Sequence, residues 1–477
     1  MVTKHTRGLN PYLPPWEYVP DGEPHVFGDR VYVYGSHDRF NGYAFCLNDY
    51  VGWSAPVDDL TDWRYEGVLY CREEAPYNED GERALYAPDA AQGPDGRYYL
   101  YYALNGLSVI SVAVCDTPAG KFTYYGDVHY PDGTRLGERE GDEFQFDPAV
   151  FNEGETTWLY SGFCPAAVVF RTGAKAIRLG PDMLTVTQDP VTVVPSPAHA
   201  AGTGFEGHAF FEGSSMRKVN GKYYFIYSSE LSHELCYAVS DYPDRKFTYG
   251  GTIISGGDIG LPGVEKPHAF LGNNHGSIEQ IAGKWYVFYH RQTNSSSYSR
   301  QGCIEPVDIL PDGSIPQVPV TSCGPTGGPL PGEGEYPAWA ACHLYMTQPP
   351  AVNADAGQNP FPRITQDTAD VGPEEAEDTS YIANLTPGVM IGFKSFDCKG
   401  IRRISVKVRG QCYAGGLTVY TDPDGEPLGT VPANSSNEWH WDTAEIAVPD
   451  GVHDLYFKVS GFGIFSLAAF RLEREEA

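Results

Sequence analysis

Basic residues are scarce in this chain: 33 Lys and Arg stand against 62 Asp and Glu, a formal net charge of −29 over 477 residues. A surface of that sign repels phosphate backbones and anionic lipid headgroups, so neither nucleic acid nor a membrane is an expected partner. Long apolar runs are missing too. No stretch approaches the roughly 20 residues that cross a bilayer, and residues 1–15 lack the apolar segment of an export signal, so a cytoplasmic location is expected. The ten cysteines include no Cys-x-x-Cys pair, which argues against a zinc knuckle or a compact disulfide framework and for reduced, mostly buried thiols. In a cytoplasmic chain the sequons at Asn294, Asn384 and Asn434 are accidental. What the chain does have is turn and strand formers: 54 Gly, 38 Pro, 33 Tyr and 23 Phe, against only 5 Met. That balance predicts an all-β protein.

One pattern recurs five times. A turn precedes a strand crowded with aromatics at Asp29-Arg-Val-Tyr-Val-Tyr34, Gly96-Arg-Tyr-Tyr-Leu-Tyr101, Glu155-Thr-Thr-Trp-Leu-Tyr160, Gly221-Lys-Tyr-Tyr-Phe-Ile226 and Gly283-Lys-Trp-Tyr-Val-Phe288. With Tyr32, Tyr99, Trp158, Tyr224 and Tyr286 as equivalents, the spacings are 67, 59, 66 and 62 residues. Each interval has room for four short strands, and five such units make a five-bladed β-propeller over residues 1–323. A β-sandwich with coincidental aromatic strands is the competing reading. Asp95-Gly96 and Asn220-Gly221 supply hairpin turns within the units. Residues 324–336, rich in Gly and Pro, read as a linker that is neither helix nor central strand. Residues 337–477 then alternate in short strands, which predicts a second β-sandwich domain of jelly-roll type.

Nine to twelve residues before each aromatic anchor stands a polar group: Glu23, Asp89, Asp147, Glu212 and His275. In a propeller these positions converge on the axis, so four carboxyl groups and one imidazole are expected around one pocket. Carboxyl groups without Cys or several His ligands suit acid/base work on a neutral substrate, and glycoside hydrolysis is the reaction that two carboxyl groups most often run. Abundant Tyr and Trp suit sugar stacking.

The series Tyr86-Ala-Pro-Asp89, Phe146-Asp-Pro-Ala-Val-Phe151, Phe211-Glu-Gly213, Asn274-His-Gly-Ser277 and Trp285-Tyr-Val-Phe-Tyr-His290 resembles glycoside hydrolase family 43 over roughly residues 10–320. The resemblance implies an inverting exo-acting hydrolase on a five-bladed propeller, releasing terminal α-L-arabinofuranose from plant-derived oligosaccharides. A β-xylosidase, a galactofuranosidase and a non-catalytic sugar-binding propeller are the alternatives. It makes Asp147 the residue that orients the acid and Glu212 the general acid, with Glu206 competing for that role. The general base falls on Glu23, which alone precedes a Pro, or on Asp21 on the same strand face. His275 matches an axial histidine that faces a calcium ion or an ordered water in the channel, Tyr86 and Asp89 shape the sugar pocket, and His37, Asp38, His208, His290 and Arg291 are candidate substrate contacts. Gly451-Val-His-Asp-Leu-Tyr456 with Phe465-Ser-Leu-Ala-Ala-Phe470 is similar to the end of family 6 carbohydrate-binding modules, with one of Trp439 and Trp441 expected in the core and the other exposed.

Overall fold

Each aromatic repeat becomes the second strand of an antiparallel sheet. The computed structural model describes residues 8–347, 361–368 and 378–474; residues 1–7 of the segment examined for an export signal lie outside these. Helix among the described residues is confined to four single-turn segments, such as Arg72–Glu74, and none is long and apolar enough to cross a membrane. The chain is all-β.

Up to Val307 the strands form five sheets in strict chain order, four of four strands and a fifth of three. The second strands are Arg30–Tyr34, Tyr98–Leu104, Thr156–Ser161, Lys222–Ser229 and Lys284–Gln292. Tight turns make these hairpins possible: Asn220 (φ 50°) and Gly221 (φ 83°) both adopt the left-handed conformation that a two-residue hairpin needs, directly between the paired Val219 and Lys222. The first strands, Glu23–Phe27, Leu85–Gln92, Ala149–Glu153, Phe210–Val219 and Ser277–Ile281, touch one another in succession, and the fifth touches the first. Apolar packing repeats that closure. Tyr34 and Tyr70 pack with Leu100 and Tyr102, Leu159 and Ile177 with Tyr101 and Val112, and so on around to Phe288 and Ile304 with Val31 and Trp53. Every sheet therefore buries both faces against its neighbours.

Among the described residues the remaining strands form two further sheets, which contribute to one apolar core: Ile391, Phe393 and Phe457 from one, Ile404, Val406 and Phe470 from the other. The segment 324–336 is not a free linker. Leu330–Pro331 pairs with Phe396 and Asp397, and Gly334–Pro337 pairs along residues 469–472. Both are edge additions, where a proline's missing N–H is tolerated, so composition alone misread them. Trp439 and Trp441 are both half-buried, and guanidinium groups of Arg409 and Arg471 lie 4.3 and 3.9 Å from their ring centres.

The two parts meet through polar contacts on the fourth and fifth sheets. Asp258 is bonded by His343 (2.7 Å) and Lys394 (2.8 Å), and Arg291 donates to the carbonyls of Ala341 and Cys342, each at 3.1 Å. Ser295 Oγ donates to Pro362 O and the Ile364 N–H to Thr293 O. All ten cysteines are free thiols, eight of them buried.

Candidate active site

At one end of the ring of first strands lies a cavity of about 720 Å³, in the range of small-molecule sites. Asp21, Asp147, Glu212, His275 and Arg300 line it together with an aromatic wall. Tyr86, Phe146, Phe163 and Phe211 follow one another at ring-centre distances of 5.1, 5.1 and 5.4 Å, and Phe45 lies under the Arg300 guanidinium at 4.8 Å. One side of the cavity is thus an apolar wall of rings tilted 45–53° to one another, and the other is charged.

Cross-strand register explains which acidic residues reach it. The residue two after each aromatic anchor pairs with Glu23 in the first sheet, Asp89 in the second, Ala149 in the third, Ser215 in the fourth and Ser277 in the fifth. These five share one level. Because side chains on one face of a strand recur every two residues, the next level up holds Asp21, Asp147 and His275, and that level is the cavity floor. Glu212 joins them because the register slips on both sides of it. Offsets of 9–12 residues from the anchors conceal this two-residue difference. The expected convergence of Glu23 and Asp89 on the pocket is corrected accordingly: both are buried one level beneath it. Glu23 accepts from Ser215 Oγ (3.2 Å) and Arg217 (3.1 Å), and Asp89 is bonded to His25 (2.6 Å) and to the Val150 N–H (2.6 Å).

Asp21 takes the place at the cavity that Glu23 was expected to hold. Arg300 Nη1 donates to both of its oxygens (2.8 and 3.0 Å), while Nε and Nη2 of the same guanidinium grip Asp38 (both 2.9 Å). Burial alone would raise the Asp21 carboxyl, but the Arg300 guanidinium overrides it and holds the group at about 2. The Asp21 N–H donates to His290 Nδ1 (3.2 Å), which leaves that ring's proton on Nε2 for Asn273 O (2.8 Å). Asp21 (φ 57°) and Asp147 (φ 45°) both sit in the left-handed region, a strain that surrounding structure must hold in place.

Asp147 and Glu212 behave in the opposite sense. Burial, then the neighbouring carboxylate charges, push Asp147 well above the usual range, and burial with the Asp21 charge raises Glu212 to about 7. Asp147 Oδ2 accepts the Gly213 N–H (3.2 Å), next in chain to Glu212, and Asn273 Nδ2 approaches Glu212 Oε1 at 3.4 Å. His275 Nδ1 lies 3.8 Å from Asp21 and 3.7 Å from Asp147, and burial pulls its pKa down, so the ring is neutral. The site therefore holds an ionised carboxylate and a protonated carboxyl group in one cavity.

Other expected contacts lie elsewhere. Asp38 is beneath Arg300, and His290 is behind Asp21; neither lines the cavity. His208 bonds Glu234 (2.7 Å) and stacks on Tyr249, and Arg291 points into the C-terminal part. His37 bonds Glu17 and Asp49 O. Glu206 is exposed and caps its own loop through the Gly202 and Gly204 N–H groups. Arg300 escaped the sequence reading because it lies 279 residues from Asp21 in no recurring motif; the Phe144, Phe163 and Asn273 linings carry no spacing signal either.

Residues 22–315 match the signature of the glycosyl hydrolases family 43. A xylosidase/arabinosidase of Thermoclostridium stercorarium is 57% identical over 470 residues, 97% of this chain and 98% of that one. Among solved structures, a family 43 arabinoxylan arabinofuranohydrolase from Bacillus subtilis, in complex with cellotetraose, aligns over 98% of this chain and 99% of its own with a TM-score of 0.53 at 23% identity. A β-xylosidase/α-arabinofuranosidase from a compost microbial metagenome, in complex with xylotriose and in a calcium-free form, covers 66% of this chain and 98% of its own at TM-score 0.52 and 25% identity.

Proposed function

The chain belongs to glycosyl hydrolases family 43, and from that premise we propose that it is an inverting exo-hydrolase that releases terminal α-L-arabinofuranose, and also terminal β-xylose, from plant-derived oligosaccharides. It is a glycoside hydrolase. The observation that carries the mechanism is the opposed ionisation of Asp21 and Glu212 across one cavity. Asp21, kept ionised by Arg300, is the general base: it takes a proton from the water that attacks the anomeric carbon. Glu212, kept protonated by burial and by the Asp21 charge, gives its proton to the departing oxygen as the glycosidic bond breaks. Asp147 accepts the Gly213 N–H and so fixes the peptide beside Glu212 and the direction of the acid. The wall from Tyr86 to Phe211 stacks on the sugar's apolar face.

The dual glycone reading is favoured by the full-length relative named for both activities. Five sheets with a closed ring of first strands and an apolar cluster at each junction support a five-bladed propeller, and two sheets on one core support a C-terminal β-sandwich. Guanidinium groups over Trp439 and Trp441 favour a packing role for that domain over sugar capture through those rings. Ten free thiols accord with a cytoplasmic location. The test is a panel of nitrophenyl glycosides followed by NMR of the first-formed sugar. Turnover of the α-L-arabinofuranoside and β-xyloside with inverted anomeric configuration is expected; retention, or no turnover of either, would sink the proposal.

A further inference from the structure

The level beneath the cavity raises a question about metal. Calcium at the centre of the ring is what the family resemblance implies, and a calcium ion takes six to eight oxygen ligands at about 2.3–2.6 Å. His275 offers a nitrogen; of its two carboxylate neighbours, Asp21 has both oxygens on Arg300, and Asp147 accepts the Gly213 N–H through Oδ2. One level down, Glu23, His25 and Asp89 bring their ligand atoms within 4.8 Å of one another. Asp89, however, spends one oxygen on His25 and the Ala90 N–H and the other on the Val150 N–H. Of the side-chain atoms of these three residues, Glu23 Oε1 alone is buried without a partner among the described residues. These donors do not fit calcium.

A positive charge is already there. Arg217, nearly buried, rises from the fourth sheet's first strand and donates through Nε to Glu279 on the fifth (2.9 Å). Its Nη2 donates to Glu23 (3.1 Å) and Pro24 O (2.8 Å) on the first, and Nη1 to Met216 O (2.9 Å). Ser215 Oγ, bonded to Ser277 at 2.6 Å, closes the same circuit. One guanidinium thus ties three of the five inner strands together and holds Glu23, two residues along the chain from the base Asp21. A divalent ion brought beside it would meet that charge at short range in a buried setting, where repulsion is poorly screened.

We infer that Arg217 is the resident cation of the ring, and that this hydrolase neither holds nor needs calcium there. The guanidinium does what a metal at that place would do mechanically: it neutralises the inward carboxylates and fixes the strand that carries Asp21, as a positioning residue rather than a catalytic one. The inference concerns the level below the cavity and does not depend on which sugar is released.

The full-length enzyme is dialysed against a chelator, assayed for bound metal by mass spectrometry, and compared with and without millimolar calcium chloride. The expected result is no retained calcium, a melting temperature that moves by less than about 2 °C and a kcat/KM that changes by less than about twofold. Calcium retained in a one-to-one ratio, or activity lost to the chelator and restored by calcium, would overturn the inference. Arg217→Met removes the charge and leaves Glu23 and Glu279 facing each other; its melting temperature should fall by several degrees and recover in part with calcium, whereas Arg217→Lys stays indifferent to calcium. An Arg217→Met enzyme as stable as the parent would contradict the assignment. If that variant does not fold, the metal content and calcium response of the parent still decide.

Discussion

Two adjacent levels of one ring contain nearly the same chemistry and do different work. The upper level holds Asp21, Asp147 and His275 with Glu212 and Arg300; the lower holds Glu23 and Asp89 with His25 and Arg217. Both combine carboxylates, an imidazole and a guanidinium, and both are buried. What separates them is access and commitment. The upper carboxylates face a cavity with room for substrate, and Glu212 has only a long contact with Asn273. The lower ones are closed in by strand-to-strand bonds, and their cation joins three strands. Residue type alone does not mark a catalytic carboxylate; its level in the register and the partners already bound to it do.

The sharpest way to break this contrast is at the two neighbouring acidic residues. Asp21→Asn should lower kcat/KM on an aryl arabinofuranoside on the order of 10⁴-fold, since no group remains to activate water. Glu23→Gln in the same assay should stay within about tenfold of the parent, because the lower level touches no substrate. A loss in Glu23→Gln that equals the loss in Asp21→Asn would erase the distinction between levels.

Next in size is the acid. Glu212→Gln should cost about 10³-fold on oligosaccharides, whose leaving groups need a proton, and less than about tenfold on activated aryl glycosides, whose leaving groups do not. In the parent enzyme kcat/KM should fall above about pH 7 as Glu212 loses its proton, with no acidic limb until close to pH 2, where Asp21 gains one. Arg300→Lys keeps a charge but loses the two-pronged grip on Asp38 that aims it. About a 10²-fold loss is expected, with the acidic limb moving up into the measurable range as Asp21 is less well held. An unmoved acidic limb would mean that Arg300 does not set the Asp21 ionisation.

The smallest effect on activity, and a clear one on stability, belongs to the junction with the C-terminal domain. Burial would raise the Asp258 carboxyl, but His343 and Lys394 hold it well below the usual range. A group lowered in this way stabilises the fold above the ordinary carboxylate pKa of about 3.9 and loses that contribution as pH falls below it. Asp258→Asn should therefore reduce unfolding free energy by about 3 kcal/mol at pH 7, and by less near pH 3, with kcat/KM on small substrates unchanged. Equal unfolding curves at pH 7 would show that the pair contributes nothing.

Much of the fold was legible because its signals are local. Aromatic second strands with left-handed turns before them, such as Asn220-Gly221 ahead of Lys222–Ser229, recur with a spacing that sequence alone reveals. The site was legible in part. Asp147 and Glu212 stand in motifs, but the choice between Asp21 and Glu23 turns on a two-residue step in register that depends on the pairing of Glu23 with Tyr34. The left-handed backbone at Asp21 leaves no trace in composition. Arg300 is a long-range partner, so no motif announces it. At 324–336 the density of Gly and Pro concealed two edge pairings that form only when residues 396–397 and 469–472 are folded beside them.

Rescue by an external nucleophile tests most directly whether Asp21 is the base. Asp21→Gly, a replacement suited to the left-handed backbone at φ 57°, removes the carboxylate and leaves a gap on the side from which water attacks. Azide is already an anion and needs no base, so it should restore turnover of an aryl arabinofuranoside in Asp21→Gly and yield a glycosyl azide of inverted configuration, while Glu23→Ala shows no response to it. Rescue of Glu23→Ala with none in Asp21→Gly would place the base on the lower level and contradict the account.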